Sequence, residues 1–501
     1  MLEQFIKNRI IAQLPFEANE GQMDLLNQLS IFLTSPTPRK AFILRGYAGT
    51  GKTSIMAALV RAMQDLNQRI VLLAPTGRAA KVLSRHAHAP AYTIHKYIYR
   101  ARSKSAPGLE DGTKCLQEAT LQLRSYEARG ERQAFTLRDN LHKNTLFIVD
   151  EASMISGLQD NPMFGSGILL EDLVRYVYNG NGCSLLLLGD DAQLPPIGSL
   201  RSPALDSDYM TGYQLITQSH ALTEVARQAH DSGILDNATR LRPWALGKET
   251  NHREFTEEEM WKILSLREDV RTLSGAELLE ALEDAYNEVG LDETILLTRT
   301  NRRTNIYNQG IRARILWKEE EVGTGDRLMV CKNNYFWTKD YENLPFLANG
   351  DMLEVVRLRN SREMYGYHFV DAQLKSLDYD WEIDTILWLD TLYSDNPEAN
   401  QQMQKDLFQK IAEDYPELVH HRKKLVEAIY DSPYYNALHV RMAYAITGHK
   451  SQGGQWKRVF IDPYKGGGND TPKTPNELQE FYRWLYTALT RATEKVYFIK
   501  K

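Results

Sequence analysis

The chain has 501 residues, too many for one ordinary domain, and this length predicts about three domains. Apolar residues make up 43% and charged residues 25%, as in globular proteins, and no apolar run approaches the roughly 20 residues that span a membrane. A net charge of −5 excludes a globally basic protein, so any nucleic-acid site must be a local groove. The cysteines lack metal-binding spacing and the N-terminal stretch lacks a signal-peptide pattern, so we expect a cytoplasmic protein without membrane contact.

The first half of the chain repeats an apolar run, a loop and a helical stretch. The runs AFILRG, IVLLAP, TLFIVD and SLLLLGD are continuous rather than alternating, which is typical of parallel strands buried on both faces. After the first run, Ile55, Leu59, Ala62, Met63 and Leu66 recur at helical spacing. This pattern predicts a doubly wound α/β domain, whose chemistry lies in the loops at the carboxyl ends of the strands.

A similar pattern returns in TILLTRTN, RMAYAITGHKSQGGQWKRVFID and WLYTALTRATEKVYFIK, which predicts a second α/β domain. Two stretches interrupt this plan. Residues 99–143 are charged and weakly periodic, without a clear hairpin pattern. Residues 349–432 begin with alternating segments typical of antiparallel strands and end in two charged helices broken near Pro416. We expect the helical pair to be a solvated hairpin, with a partner or strand clamp as the alternative.

The sequence GYAGTGKT, from Gly46 to Thr53, fits a phosphate-binding P-loop between a predicted strand and a predicted helix. In such a loop the glycines let backbone N–H groups close around phosphates, and the helix N-terminus adds its positive dipole. Lys52 would reach the β- and γ-phosphates, and the Thr53 hydroxyl would bind Mg²⁺. The pattern therefore predicts a nucleotide site.

Two further loops at predicted strand ends carry groups suited to phosphoryl transfer. In IVDEASM, one carboxylate would hold Mg²⁺ through water and its neighbour would orient and deprotonate the attacking water. We assign Asp150 to the metal and Glu151 to the water. In LLLLGDDAQLPPIG, Gln193 lies just past a strand, where it could contact the γ-phosphate.

These segments, taken together, resemble a known family. GYAGTGKTS, LLAPTGRAAKVL, TIHK, VDEASM, GDDAQLPPIG, LTEVARQ, TGHKSQG and YTALTRA occur in the order seen in superfamily 1 helicases, most similar to the 5′-to-3′ RecD and Dda branch. The motifs span Gln22 to Arg491. The resemblance implies two RecA-like P-loop motor domains with parallel sheets, a small insertion in the first, and an SH3-like barrel with a helical insertion in the second.

The resemblance also implies where the domains begin and end. The first motor domain, which would bind ATP, comprises residues 1–98 and 144–230, interrupted by a pin-type subdomain at 99–143. The second motor domain comprises residues 231–348 and 433–501, interrupted by an SH3-like and helical subdomain at 349–432.

The family positions imply roles in the nucleotide site. Gln22 resembles the glutamine that recognises adenine, and Arg227 and Arg491 resemble two arginine fingers, which neutralise charge on the transferring phosphate. Because Arg491 would lie in the second motor domain, both domains must close on ATP before hydrolysis. The expected catalytic residues are Lys52, Glu151, Gln193, Arg227 and Arg491. The expected ATP-binding residues are Gln22, Gly46, Ala48, Gly49, Thr50, Gly51, Lys52, Thr53, Ser54, Gln452 and Gly454, and the Mg²⁺ ligands are Thr53 and Asp150.

Six positions match family residues that line the strand-binding face: Pro75, Thr76, Thr93, His95, Thr447 and His449. Hydroxyl and imidazole groups there could bind phosphates or stack near bases without recognising sequence. Thr93 and Thr447 could instead be helix caps. Many relatives carry an acid near the ribose where this chain has Gln455, so the choice between DNA and RNA stays open.

The expected function is an ATP-dependent DNA helicase that moves 5′-to-3′ along single-stranded DNA and unwinds duplex at junctions. We expect a monomer, with protein partners possible through residues 349–432. The alternatives are a translocase that does not unwind, an enzyme acting on RNA, and the motor subunit of a nuclease complex. The sequence shows no nuclease carboxylate cluster, and the full set of P-loop partners disfavours an inactive scaffold.

Overall fold

The structure is a computed structural model. It describes residues 1–101, 135–159, 164–225, 232–248, 257–339, 341, 344, 346–394, 396–418, 420–466, 472 and 474–500. Within these ranges, no helix is long and apolar enough to cross a membrane.

The first half of the chain forms a parallel sheet with strand order β3-β2-β6-β7-β1-β8. Along its central strands, alternate residues enter two separate cores, one on each face of the sheet. The continuous apolar runs are therefore buried on both sides, as the sequence predicts. The strands are β1 (Lys40–Gly46), β2 (Arg69–Ala74), β3 (Ala91–Thr93), β6 (Thr145–Val149), β7 (Ser184–Gly189) and β8 (Ile216–Leu222).

Helices cover both faces of this sheet, which makes it a doubly wound domain. The helices are α1 (Leu2–Ala12), α2 (Glu20–Thr34), α3 (Lys52–Asp65), α4 (Gly77–Ala87), α5 (Ile94–Ile98), α6 (Leu169–Asn179) and α7 (Ser207–Thr211). The ends of the first insertion pair as two antiparallel strands, β4 (Tyr99–Ala101) and β5 (Phe135–Leu137). Residues 102–134 of that insertion lie outside the described residues, so the expected strand-separating pin is not described.

A second parallel sheet, ordered β16-β10-β17-β18-β9, forms the other motor fold. Its strands are β9 (Val270–Leu273), β10 (Thr294–Thr298), β16 (Ala445–Thr447), β17 (Trp456–Ile461) and β18 (Ala492–Ile499). Its helices are α8 (Gly233–Ala245), α9 (Glu257–Ile263), α10 (Leu278–Val289), α11 (Asn301–Arg314) and α14 (Pro475–Leu489). Short 3-10 turns occur at Ala152–Met154, Pro203–Leu205, Leu291–Glu293, Leu389–Thr391, Pro416–Leu418 and Gly448–Ser451.

The remaining strands close into a barrel, which confirms the predicted fold class. They are β11 (Arg327–Val330), β12 (Met352–Met364), β13 (Tyr367–Ser376), β14 (Glu382–Trp388) and β15 (Leu438–Met442). The barrel thus runs from Arg327 to Met442 and extends past both ends of the expected 349–432 insertion. Closure requires β11 and β15, because they pair with each other and with β12 and β14. We therefore propose wider boundaries for this subdomain than the sequence suggested.

The charged helical pair, α12 (Pro397–Ala412) and α13 (Arg422–Tyr430), packs on the outside of the barrel. Leu407, Ile411 and Ile429 bury against Trp388 and Phe369 of the barrel strands. The Tyr367 hydroxyl donates to the Asp406 carboxylate of α12 at 2.8 Å. The pair is consequently attached to the barrel through one apolar face rather than being solvated all round.

A buried carboxylate joins the barrel to the second motor domain. Asp326, fully buried, accepts hydrogen bonds from Arg312 at 3.0 Å, Lys318 at 2.8 Å and Tyr444 at 2.7 Å. Despite the cost of burial, these donors hold the pKa of Asp326 below its usual value of 3.8. The network ties α11 to the first barrel strand and to the segment before β16.

Replacing Asp326 by alanine is expected to lower the free energy of unfolding by about 3–5 kcal/mol, because Arg312 is left buried without its carboxylate. A carboxylate with a lowered pKa stabilises the fold above its unfolded pKa, so the wild type should lose this contribution as the pH falls below about 4. Urea unfolding of both proteins tests this. The control Asp371→Ala, which breaks the half-buried pair with Arg362 at the surface of the barrel, should cost no more than about 1 kcal/mol. An equal effect of the two variants would contradict the role of the buried network.

Candidate functional site

The P-loop connects β1 to α3 and has the curled backbone that phosphate binding requires. Gly49 and Gly51 adopt φ values of 75° and 82°, and Gly51 is the N-cap of α3. Residues with side chains rarely adopt this region, which explains glycine at both positions. Lys52 donates to the Gly46 carbonyl at 2.9 Å. Thr53 and Ser54 lie in the first turn of α3, half-buried.

Asp150 and Glu151 follow β6 at the same sheet edge. Asp150 accepts a hydrogen bond from the Glu151 N–H at 2.9 Å, and burial, reinforced by the charge of Glu151, raises the pKa of Asp150. Glu151 has a φ of 52°, an uncommon value for a residue with a side chain. Backbone strain of this kind concentrates at functional sites, where surrounding structure maintains it. The turn directs the Glu151 carboxylate towards the second motor domain.

Arg491 reaches this carboxylate across the cleft between the motor domains. Its Nη1 lies 3.7 Å from the Glu151 Oε1. The guanidinium is oriented by the Thr487 carbonyl at 3.1 Å and the Gly454 carbonyl at 3.3 Å, and the residue is only 4% exposed. The second domain therefore supplies a positioned cation next to the acid that we assign to the attacking water.

Several polar atoms at this site are buried without a hydrogen-bond partner. They include Glu151 Oε2, Gln193 Oε1 and Asp191 Oδ1. Buried polar atoms are normally satisfied, so such a group of oxygens beside a P-loop suits phosphate-bound water and a magnesium ion. The side chains present therefore fit Mg²⁺ and a nucleoside triphosphate.

Two expected ATP-binding residues have other contacts. Gln452 donates its amide to the Leu194 carbonyl at 2.7 Å, and the Gly454 carbonyl accepts from Arg491. Both therefore organise the opposite wall of the cleft in this structure. The other expected arginine finger, Arg227, lies outside the described residues.

Comparison with known proteins gives two family matches. The model described as an AAA domain matches residues 17–254, and that of the UvrD-like helicase C-terminal domain matches residues 442–499. Together they cover more than half of the chain, and their matches contain the P-loop and Arg491 respectively.

Relatives extend the match along the chain. Protein R530 of Acanthamoeba polyphaga mimivirus is 25% identical, covering 96% of this chain and 99% of its own length. The ATP-dependent DNA helicase dda of Enterobacteria phage T4 is 24% identical over 68% of this chain and 67% of its own length. The chain is a superfamily 1 helicase of the RecD/Dda branch. A crystal structure of Bacteroides Pif1 helicase with ADP-AlF3 and single-stranded DNA aligns with a TM-score of 0.45 and 16% identity, covering 96% of this helicase and 92% of that chain.

Family membership makes the helicase an ATP hydrolase. It also explains why the two motor sheets face each other across a nucleotide cleft, since Glu151 and Arg491 come from opposite sides.

Gln22 of the helicase supports the P-loop directly. Its Nε2 donates to the Thr50 carbonyl at 2.9 Å, and its Oε1 accepts from the Asn19 N–H at 3.1 Å in a capping box at the start of α2. An amide has two donor hydrogens and two acceptor lone pairs, so one of each remains available for an adenine edge. The geometry allows both a supporting and a base-recognition role.

Replacing Gln22 by alanine is expected to reduce the preference for ATP over GTP by about two- to tenfold, the value of one neutral hydrogen bond. The measurement is KM and kcat for both nucleotides. Asn19→Ala is the matched control, because it removes the capping box without removing the glutamine amide. If Gln22→Ala raises KM equally for ATP and GTP, the residue only supports the P-loop.

The expected strand-binding residues lie at the strand ends of both sheets. Thr76 and Thr93 cap α4 and α5, accepting from the Ala79 and Lys96 N–H groups at 3.2 Å each. The capping interpretation therefore holds for Thr93, while Thr447 makes no side-chain cap bond. Pro75 lies between β2 and α4, next to Thr76.

Both expected strand-binding histidines are partly buried, and burial is the largest influence on the pKa of each. His95 packs edge-on against Phe164, with ring centroids 4.9 Å apart, and burial lowers its pKa to about 4. Burial also lowers the pKa of His449. At neutral pH His95 therefore offers a polar ring without charge, which suits stacking or hydrogen bonding better than ion pairing with phosphate.

The surface that carries the expected strand-binding residues, called here the strand face, also has contacts that the sequence does not indicate. Arg78 of α4 stacks on the Trp456 ring at 4.0 Å and donates to the Gln455 carbonyl, joining the two motor domains. From the barrel, Asp378 pairs with Lys81 at 3.9 Å, and the Tyr379 ring packs on Gly77 so closely that a Cβ there would lie 2.9 Å from it. A tyrosine and an aspartate in a short loop carry no recognisable pattern, so only the fold reveals them.

Proposed function

We propose that this helicase moves 5′-to-3′ along single-stranded DNA and couples ATP hydrolysis to duplex unwinding. The observation that carries the coupling is the approach of Arg491, from the second motor domain, to Glu151 of the first at 3.7 Å. The proposed direction comes from the resemblance to the RecD and Dda branch. A site assembled from both domains can hydrolyse ATP only when they are together. ATP hydrolysis then requires closure of the two domains, so each hydrolysis cycle is coupled to domain movement.

Each residue of the cleft has a role that its position supports. Lys52, held beside Gly46, would bind the β- and γ-phosphates, and P-loop N–H groups of residues 48–53 would surround them. Glu151 would orient the attacking water and accept its proton, while Gln193 would contact the γ-phosphate. Arg491 would neutralise the charge that develops on the transferring phosphoryl group, together with Arg227.

Thr53 and Asp150 would hold Mg²⁺, whose charge neutralises the phosphate oxygens when it is bound. Asp150 is suited to this because its raised pKa reflects a buried carboxylate in need of a cation. Lys52 is the nearby cation that most favours its charged form.

Movement along the strand would follow from opening and closing of the cleft. Each motor domain has its own expected strand-binding residues. Thr76 and His95 belong to the first domain, and Thr447 and His449 belong to the second. Alternating grip and release would advance the protein. Separating one base pair costs about 1.4 kcal/mol, a small part of the free energy that ATP hydrolysis releases.

The experiment is ATP hydrolysis measured with single-stranded DNA, with RNA of the same sequence and without nucleic acid. We expect DNA to stimulate hydrolysis strongly and RNA weakly. Gln455 is exposed at the strand face, at the position where many relatives carry an acid. The same measurements on Gln455→Glu test whether this position affects the choice between DNA and RNA. Equal stimulation by RNA would overturn the restriction to DNA, and no stimulation by either would overturn the proposal.

A further inference from the structure

Tyr486 of α14 is fully buried, and its hydroxyl lies between two groups of the opposite motor domain. The Ala48 N–H of the P-loop donates to the hydroxyl oxygen at 3.0 Å. The hydroxyl in turn donates to the Asp190 Oδ2 at 2.7 Å. One phenol from the second domain thus connects the P-loop with the segment that follows β7.

A second contact holds the far end of that segment. The Leu194 N–H donates to the Thr487 Oγ1 at 2.9 Å, and the Leu194 carbonyl accepts from the Gln452 amide at 2.7 Å. Gln193 lies between the two anchored residues, Asp190 and Leu194. Groups of the second motor domain therefore hold the segment on both sides of Gln193.

The charge at Asp190 depends on this arrangement. Burial raises the pKa of Asp190 to about 6, and the neighbouring Asp191 also raises it. Lys52, the Tyr486 hydroxyl and the Ala192 N–H act in the opposite direction and favour the carboxylate. Removing the phenol hydroxyl would leave a buried carboxylate with one donor fewer, so its pKa would rise further.

We propose that Tyr486 is a positioning residue that aligns the P-loop peptide at Ala48 and the Asp190–Leu194 segment across the cleft, so that Gln193 takes its place only when the motor domains are closed. This inference rests on the ATP hydrolysis proposed above. Tyr486 acts through Gln193 and the P-loop. The phosphate site of the first motor domain is then complete only when the second domain is in contact with it.

The test is Tyr486→Phe, which keeps the ring and removes the hydroxyl. We expect kcat for strand-stimulated hydrolysis to fall about ten- to hundredfold, the value of a hydrogen bond to a charged group, with KM for ATP changed less than about threefold. The acidic limb of the kcat–pH profile should move to higher pH because the pKa of Asp190 rises. A purely structural role would lower thermal stability without moving that limb.

The matched control is Tyr482→Phe, a buried tyrosine one turn earlier on the same helix, which should retain wild-type kcat. Thr487→Val tests the second anchor and remains informative if Tyr486→Phe folds poorly; the same fall in kcat with a small change in KM is expected. The double variant Tyr486→Phe/Asp190→Ala should lose less than the sum of the two single losses, because each single variant already removes the hydrogen bond between the hydroxyl and the carboxylate.

Folded Tyr486→Phe and Thr487→Val proteins with wild-type kcat and pH profile would overturn the inference while leaving the proposed function intact. A wild-type protein without strand-stimulated hydrolysis would overturn both.

Discussion

Arg491→Ala is expected to lower kcat for strand-stimulated ATP hydrolysis by about 10³–10⁵, the usual effect of removing an arginine finger. Arg491 is buried in the cleft and fixed by the Thr487 and Gly454 carbonyls, so its charge is already in place when the transition state forms. Such preorganised charge acts mainly on the transition state. KM for ATP should therefore change much less than kcat, and steady-state kinetics at saturating single-stranded DNA measures both.

Arg458→Ala is the matched control for that variant. Arg458 is also a buried arginine of the second motor domain, but its guanidinium pairs with Glu288 and Glu494. Its removal should lower stability and leave kcat of the folded protein near wild type. Equal losses of kcat in the two variants would show that Arg491 acts through folding and not through the phosphate.

Lys52→Ala should reduce hydrolysis by at least about a hundredfold and abolish unwinding, because no other side chain of the P-loop carries a positive charge. The ammonium rests on the Gly46 carbonyl and is the leading cation acting on both Asp150 and Asp190. Binding of single-stranded DNA without nucleotide should persist, since the strand face is separate. Hydrolysis, unwinding and DNA-binding assays on one preparation give the three readouts.

Lys40→Ala provides the comparison, because Lys40 stands at the opposite end of β1 and donates to the Phe32 and Ser35 carbonyls at the end of α2. That variant should hydrolyse ATP normally. Loss of strand binding in Lys52→Ala would contradict the separation of nucleotide and strand sites.

The motor folds were predictable because their sequence signals are local. A strand buried on both faces needs an unbroken apolar run, and the P-loop needs glycines where φ is positive, as at Gly49 and Gly51. The acids after β6 were predictable for the same reason. Parallel strands bring their carboxyl ends to one edge, so Asp150 and Lys52 meet there whatever joins the strands.

The remaining features depend on contacts between distant segments. Tyr486 and Asp190 are 296 positions apart, and nothing in the composition of either segment indicates their hydrogen bond. The barrel includes β11 and β15, which lie outside the expected 349–432 insertion, and the sequence does not distinguish these two strands from the flanking motor domain until they pair. The family resemblance assigns Gln22 to adenine recognition. Only the fold shows that its amide also donates to the Thr50 carbonyl of the P-loop.

The most direct measurement is unwinding of a labelled duplex that carries a single-stranded tail at either its 5′ or its 3′ end, with ATP and Mg²⁺, beside the Lys52→Ala variant. We expect unwinding from the 5′-tailed substrate only, and none by the variant. Unwinding from the 3′ tail alone would contradict the proposed direction. Strand-stimulated hydrolysis without unwinding from either tail would show a translocase, and the coupling of the motor cycle to strand separation would be wrong.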